Sequence, residues 1–235
     1  MTTVRPILYT EHPEQWLKIM TALGGEALVD QDGWALFQLD RGHVAFHSPM
    51  EDYPKGQVDL CREVEDLDEW AEACGTTVED QPFGRAAKVS TDDGMRLAAH
   101  APSAGSNHHD DGPLSVMPIW VTPDVEQVRN TLKTAGLRER IASDSGAWVD
   151  FQADSGLVAI HGASESTRAN TVLGFEYDGD VDDLVAPLKE VGADPVVIDE
   201  TFGRTLQFAD PDGGERIWIN QTQTDLYGYS TQDRV

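Results

Sequence analysis

Hydrophobic and polar residues alternate in short runs along this chain, and single stretches of helical period interrupt them. Arg5 to Thr10 alternates as a strand does. Glu14 to Leu23 then sets Trp16, Leu17, Met20 and Leu23 on one helical stripe, which Gly24-Gly25 stops. Three alternating runs follow, Glu26 to Asp30, Trp34 to Leu39 and His43 to Ser48, separated by "QDG" and "DRG" turns. The order then restarts. A strand is predicted at Val58 to Val64 and a helix at Leu67 to Cys74 with Asp66 as its N-cap. Strands near Thr76 to Glu79, Arg85 to Ser90 and Met95 to Ala99 complete the set. The second half predicts the same series, with helices at Val125 to Ala135 and Val181 to Val191. Pro187 predicts a kink in the last helix or a later start for it.

Residue identities recur with the pattern. "PILYTEHPEQWLKIMTALGG" from Pro6 and "PIWVTPDVEQVRNTLKTAGL" from Pro118 share Pro-Ile, Thr10/Thr122 and Glu14-Gln15/Glu126-Gln127. "GWALFQLDRGHVAFHS" and "AWVDFQADSGLVAIHG" pair Trp34 with Trp148, Gly42 with Gly156 and His47 with His161, always 114 residues apart. "FGRAAKVSTDDGM" and "FGRTLQFADPDGG" pair Phe83 with Phe202 at a spacing of 119, so the second copy has gained five residues. The chain reads as a duplication, residues 1–100 and 114–222, with a tail at 223–235. Residues 101–113, "APSAGSNHHDDGP", have a flexible linker's composition. His108, His109, Asp110 and Asp111 in it carry ligand atoms for a metal, but such a loop does not preorganise them. The predicted class is α+β: paired βαβββ modules, duplicated in tandem, forming two curved mixed sheets with helices outside.

Composition narrows the function. No apolar run approaches the roughly 20 residues that a spanning helix needs, so no membrane partner is expected. The N-terminus lacks the basic start and apolar stretch of a secretory signal. Cys61 and Cys74 form neither a disulfide framework nor a zinc spacing, which fits reduced thiols in a cytoplasmic protein. With 17 basic residues against 42 acidic ones, the formal net charge is −25. Such a surface keeps a protein soluble, repels phosphate backbones and attracts cations, so nucleic acid is excluded as a partner. The chain has no nucleophile elbow, phosphate loop or dinucleotide fingerprint.

Four βαβββ modules, each closed by an Asp-Gly hairpin, resemble the vicinal oxygen chelate superfamily. That group includes glyoxalase I, the extradiol dioxygenases and the bleomycin-resistance binding proteins. "FGRTLQFADPDGGERIWIN" resembles its closing signature most closely, and the likeness covers nearly the whole chain. The resemblance implies a metal in the enzymatic members. One ligand lies at the start of a module's first strand, and another is a Glu two residues into its last strand. Here the last-strand positions hold Ala45, Ala98, Ala159 and Trp218, and the first-strand positions fall near Arg5, Asp59, Met117 and Val172 or Leu173. Only Asp59 offers a ligand atom, whereas a metal site needs three or four converging groups. The expectation is a metal-free protein, without a cofactor, that binds a small organic molecule, cationic or planar, as antibiotic-sequestering members do. The alternative is a glyoxalase-like lyase or a dioxygenase using a divalent metal in a shifted His-based site. Monomer and homodimer are both open.

Candidate contacts follow from strand alternation. His47, His100, His161 and Asn220 lie two residues past the last-strand positions, on the same side of each strand. Strand-end residues, ligand contacts and a displaced metal set of His47, Asp59, His100 and His161 are the three readings. Trp34 and Trp148 are repeat mates, and Trp218 stands where the family places a ligand. Such indoles stack on flat or cationic groups, or pack as core. Glu63 and Glu176 align with a one-residue slip and are expected to point inward, where a carboxylate meets a cation or acts as a base. Arg85 and Arg204 are expected to steady turns or to lie on the surface.

Overall fold

The first predicted strand, Arg5 to Thr10, is observed as β2 (Ile7–Tyr9); β1 (Thr2–Val4), which the alternation does not mark, precedes it across Pro6, which has no N–H to donate. The computed structural model describes residues 1–31, 33–103, 111–200 and 203–231; His108, His109, Asp110 and Phe202 lie outside them. After β2 come α1 (Pro13–Ala22), β3 (Glu26–Gln31), β4 (Trp34–Gln38) and β5 (His43–His47). The same order follows in β6 (Val58–Val64), α2 (Leu67–Ala73), β7 (Val78–Gln81), β8 (Gly84–Ser90) and β9 (Arg96–His100). Beyond the linker, Pro118 separates β10 (Leu114–Val116) from β11 (Ile119–Thr122), which leads into α3 (Val125–Thr134). Next are β12 (Arg138–Ser143), β13 (Trp148–Gln152), β14 (Leu157–Gly162), β15 (Asn170–Val172) and β16 (Gly174–Tyr177). A 3-10 turn, Val181–Leu184, precedes α4 (Val185–Glu190), and then come β17 (Val196–Glu200), β18 (Gly203–Phe208), β19 (Ile217–Gln221) and β20 (Tyr229–Thr231).

Local chemistry sets these ends. Asp66 caps α2 by accepting the Glu69 N–H at 2.9 Å, and Asp124 caps α3 by accepting that of Gln127 at 3.0 Å. Pro187 falls in the first turn of α4, where N–H groups have no partner within the helix, so the α-helix starts later than the periodicity suggests.

The N-terminal half is one nine-stranded sheet, ordered β3-β4-β5-β2-β6-β9-β8-β7, with β1 paired to β6. The C-terminal half departs from the expected single sheet. It forms a six-stranded ladder, β15-β11-β14-β13-β12-β20, and a five-stranded one, β10-β16-β19-β18-β17. β6 runs unbroken, whereas the corresponding stretch parts at Leu173 into β15 and β16. Registers still match across the break. Thr3 faces Glu63 and Ile7 faces Asp59, just as Ser115 faces Glu176 and Ile119 faces Val172. Part of the tail is also built in, since β20 pairs with the edge of β12.

Alternation gives each sheet two faces. Leu8, Phe37, Phe46, Leu60 and Leu97 join the helix residues Trp16, Met20, Trp70, Leu132 and Leu188 in one core that runs through both halves. Between them, Ile7, Tyr9, Leu36, Ala45 and Cys61 form a separate cluster on the face away from the helices. Met117, Ile119, Leu157 and Ala159 do the same in the C-terminal half. These two inner faces carry the candidate chemistry.

The halves meet backbone to backbone at Gly42 and Gly156. A Cβ on Gly42 would lie 2.3 Å from Val116 Cγ1, and one on Gly156 would lie 2.9 Å from Val4 Cβ. Both glycines have φ near +87°, so both the space and the conformation demand glycine there. The Asp-Gly turns brace the junction reciprocally. Asp93 accepts the Trp120 indole N–H at 3.2 Å and the Thr122 hydroxyl at 2.9 Å. Asp212 accepts the Glu11 N–H at 2.9 Å and the Trp16 indole N–H at 3.4 Å. Arg85 and Arg204 share a different task. Each reaches the acidic start of the preceding helical segment, Arg85 at Asp68 and Arg204 at Asp180 and Asp182.

Candidate functional site

On the N-terminal inner face, β6 turns Glu63 inward, where it is 1% exposed. Ser103, just past β9, donates both its N–H and its hydroxyl to Glu63 Oε1, at 3.2 and 2.6 Å. Arg5 Nε lies 3.6 Å from the same oxygen, and His43 Nδ1 lies 3.2 Å from Oε2. Burial pushes the Glu63 carboxyl up, but His43, the Arg5 charge and Ser103 outweigh it and hold its pKa down at about 2. His100 sits beside Glu63 in the β6–β9 ladder. Burial, with the Arg5 charge, lowers its pKa to about 4 despite Glu63, so its ring is neutral near pH 7. Burial also pushes the Cys61 thiol up to about 12, which makes it inert as a nucleophile. At the other end of this face Trp34 stands opposite His47, their rings edge to face at 5.9 Å, and Tyr9 stacks on Tyr53 at 4.8 Å. The Arg5 guanidinium lies 5.8 Å from the Trp34 ring centre.

The C-terminal inner face solves the same problem differently. Glu176 occupies the ladder position of Glu63 and is 12% exposed in its side chain. Its partner is Arg140, from the β-bulge between Glu139 and Ile141. Arg140 donates from Nη1 and Nη2 to Glu176 at 2.7 and 2.6 Å, and from Nε and Nη2 to Asp150 at 2.8 and 3.1 Å. Burial opposes the charge, but the hydrogen bonds and charges of Glu176 and Asp150 raise the Arg140 pKa above its ordinary value. Trp148 donates its indole N–H to Asp150 at 3.3 Å and faces His161 edge to face at 6.2 Å. Asn220 accepts the Thr205 hydroxyl at 3.1 Å. Trp218, half-buried, packs against the apolar cluster of this face.

A groove of about 1150 Å³ opens between the halves. Its N-terminal wall is Asp52 and residues 54–60 with the turn at Gly94–Arg96; its C-terminal wall is residues 167–173 with the longer Asp-Gly turn at 212–218. Of the sequence-predicted residues, Asp59, His161 and Trp218 line it, together with Ile119, Val121 and Val172. Trp34, His47, Glu63, His100, Trp148, Glu176 and Asn220 are not among its lining residues.

The structure does not gather the shifted metal set. Among the described residues no three His, Cys, Asp or Glu side chains come together to hold an ion, so His47, Asp59, His100 and His161 form no common site. The inward carboxylates best placed to serve, Glu63 and Glu176, are already paired with Arg5 and Arg140. The donors present do not fit a metal. Periodicity alone missed His43, Ser103, Arg140 and Asp150. The signal for Arg140 was a bulge, which shifts the inner face by one residue.

No family model and no curated protein matches the chain in sequence. Solved structures do match in fold. Catechol 2,3-dioxygenase superposes with a TM-score of 0.63 at 15% identity, over 99% of this chain and 95% of that one. Homoprotocatechuate 2,3-dioxygenase from Brevibacterium fuscum, in complex with 3,4-dihydroxyphenylacetate, gives 0.65 at 14% identity over 94% and 79%. The enzyme of the same name from Arthrobacter globiformis gives 0.64 at 15% over 94% and 78%. The chain therefore has the fold of the extradiol dioxygenases.

Proposed function

We propose that this protein is a tandem duplication of paired βαβββ modules, four in all, of the vicinal oxygen chelate type, and that it binds a small organic molecule without an exogenous metal. Its site is the groove where it meets the C-terminal inner face. One observation carries the reading: the groove is lined by Ile119, Val121, Val172 and Trp218, with His161 exposed beside them. An apolar wall with a few polar groups is the usual composition of a small-ligand site, and about 1,000 Å³ is the upper end of the usual size. Trp218 supplies a flat stacking surface where the family pattern has a ligand to metal. His161 supplies a hydrogen bond at the mouth. The chain's own residues then stack, orient and exclude water, as a sequestering protein requires.

The test is calorimetric titration with a panel of planar neutral and planar cationic aromatics. Trp218→Ala should weaken the best binder about tenfold, which corresponds to about 1.4 kcal/mol. His161→Ala should have a smaller effect. Identical isotherms for wild type and Trp218→Ala would move the site elsewhere. The dioxygenase fold favours a second reading, a metal-dependent enzyme, but that reading requires a ligand set that the described residues do not bring together.

A further inference from the structure

The inward carboxylates at matching ladder positions, Glu63 and Glu176, each face a guanidinium, and the two guanidinium groups come from different places in the fold. Arg5, before β2, occupies the place that Met117 takes in the C-terminal half: Arg5 N–H bonds Cys61 O, and Met117 N–H bonds Gly174 O. Arg140 is the extra residue of a bulge whose N-terminal counterpart carries Leu28. A bulge re-aims the side chain it holds, and here it brings Arg140 to two acids at once. Asp150 is 4% exposed, Glu176 12% and Arg140 22%.

Two carboxylates converging at this depth cannot both stay ionised without a cation between them. Four charge-assisted hydrogen bonds from one guanidinium meet that need, with both acids engaged through both of their oxygens. We infer that Arg140 is a built-in cation. Its guanidinium occupies a cation site formed by Asp150 and Glu176, and so closes the C-terminal inner face to exogenous metal. Arg140 is thus a positioning residue: it fixes Asp150, which holds the Trp148 indole, and Glu176. The inference is independent of which ligand the groove takes.

Removing the guanidinium should expose the site. Full-length Arg140→Ala would be compared with wild type by thermal unfolding and by calorimetric titration with Mn²⁺, Zn²⁺ and ethylguanidinium. Reading each titration as a difference from wild type cancels any binding by the linker histidines. The variant is expected to melt about 10 °C lower. It should regain at least half of that loss with saturating cation, while the wild-type Tm does not move. Arg140→Lys should recover part of the loss without added cation, since it keeps the charge and loses the fork. An Arg140→Ala protein that is as stable as wild type, or that binds no cation beyond what wild type binds, would overturn the inference. If the single variant does not fold, Arg140→Ala/Asp150→Asn/Glu176→Gln decides. The inference expects this triple variant to fold without cation, because the unpaired acids are the cause of failure. Its failure to fold would show that Arg140 acts through packing instead.

Discussion

The two inner faces have the same ladder register and end as different sites. Where the N-terminal face has Ala98, Leu36 and His43, the C-terminal face has Trp218, Asp150 and Leu157 at the matching positions. Each face repeats the inward carboxylate but not its partner. On the first, Glu63 is met by Arg5, His43 and a serine from beyond the sheet. On the second, a single bulged arginine serves two acids. The sheet thus fixes where an acid points, and the surrounding side chains decide what that acid does. The groove reaches the second face at Trp218 and His161, which is why the proposed small-molecule site lies there.

Removing each cation in turn should give the largest contrast. Arg140→Met leaves two inward acids with only the Trp148 indole N–H, on Asp150, between them and should cost about 3–4 kcal/mol in urea unfolding. Arg5→Met leaves Glu63 with both Ser103 bonds and the His43 ring, and should cost about 2 kcal/mol. Equal costs would mean that the number of remaining partners does not matter, and the contrast between the faces would fail.

Transplanting the filler should give an intermediate effect. Ala98→Trp puts the C-terminal indole into the N-terminal face, against Cys61 in the neighbouring strand. Overpacking there should cost about 1–2 kcal/mol, without creating a second binding event in calorimetry. A second ligand per chain would show that Trp218 alone defines the site.

The last effect expected, absent at neutral pH, is a pH slope belonging to the N-terminal face. In the unfolded chain His100 protonates near its ordinary value of 6.5, whereas in the folded protein it stays neutral down to about 4. The unfolded state therefore binds more protons in that window, so stability is full above pH 6.5 and declines as pH falls toward 4. Glu63, held at about 2 against an ordinary 4.5, adds a second loss as pH falls from 4.5 toward 2. His100→Gln should flatten the upper slope in a Tm-versus-pH series and leave the lower one. A wild-type Tm that is level from pH 7 to 4 would contradict the buried, neutral His100.

Much of the fold was legible because it is local. Alternation placed the strands, Asp66 and Pro187 marked helix starts, and the Glu63/Glu176 alignment agrees with the ladders. The candidate site was less legible because three of its causes are not periodic. The bulge at Arg140 breaks the two-residue alternation that a strand reading assumes, so "RERIAS" cannot be assigned faces by counting. Ser103 lies in a stretch whose composition reads as linker, yet it holds Glu63. The groove is lined by residues as far apart in sequence as Asp59 and Trp218, a juxtaposition that no short window contains.

The central proposal is that the inner faces hold no metal, the C-terminal one because the Arg140 guanidinium already occupies its cation site. Elemental mass spectrometry of untagged wild-type protein, with calorimetric titration of Mn²⁺, Fe²⁺ and Zn²⁺, tests it most directly. The account predicts no stoichiometric metal, and no binding that survives replacement of His108 and His109 by alanine. One tightly held equivalent per chain in that double variant would contradict it.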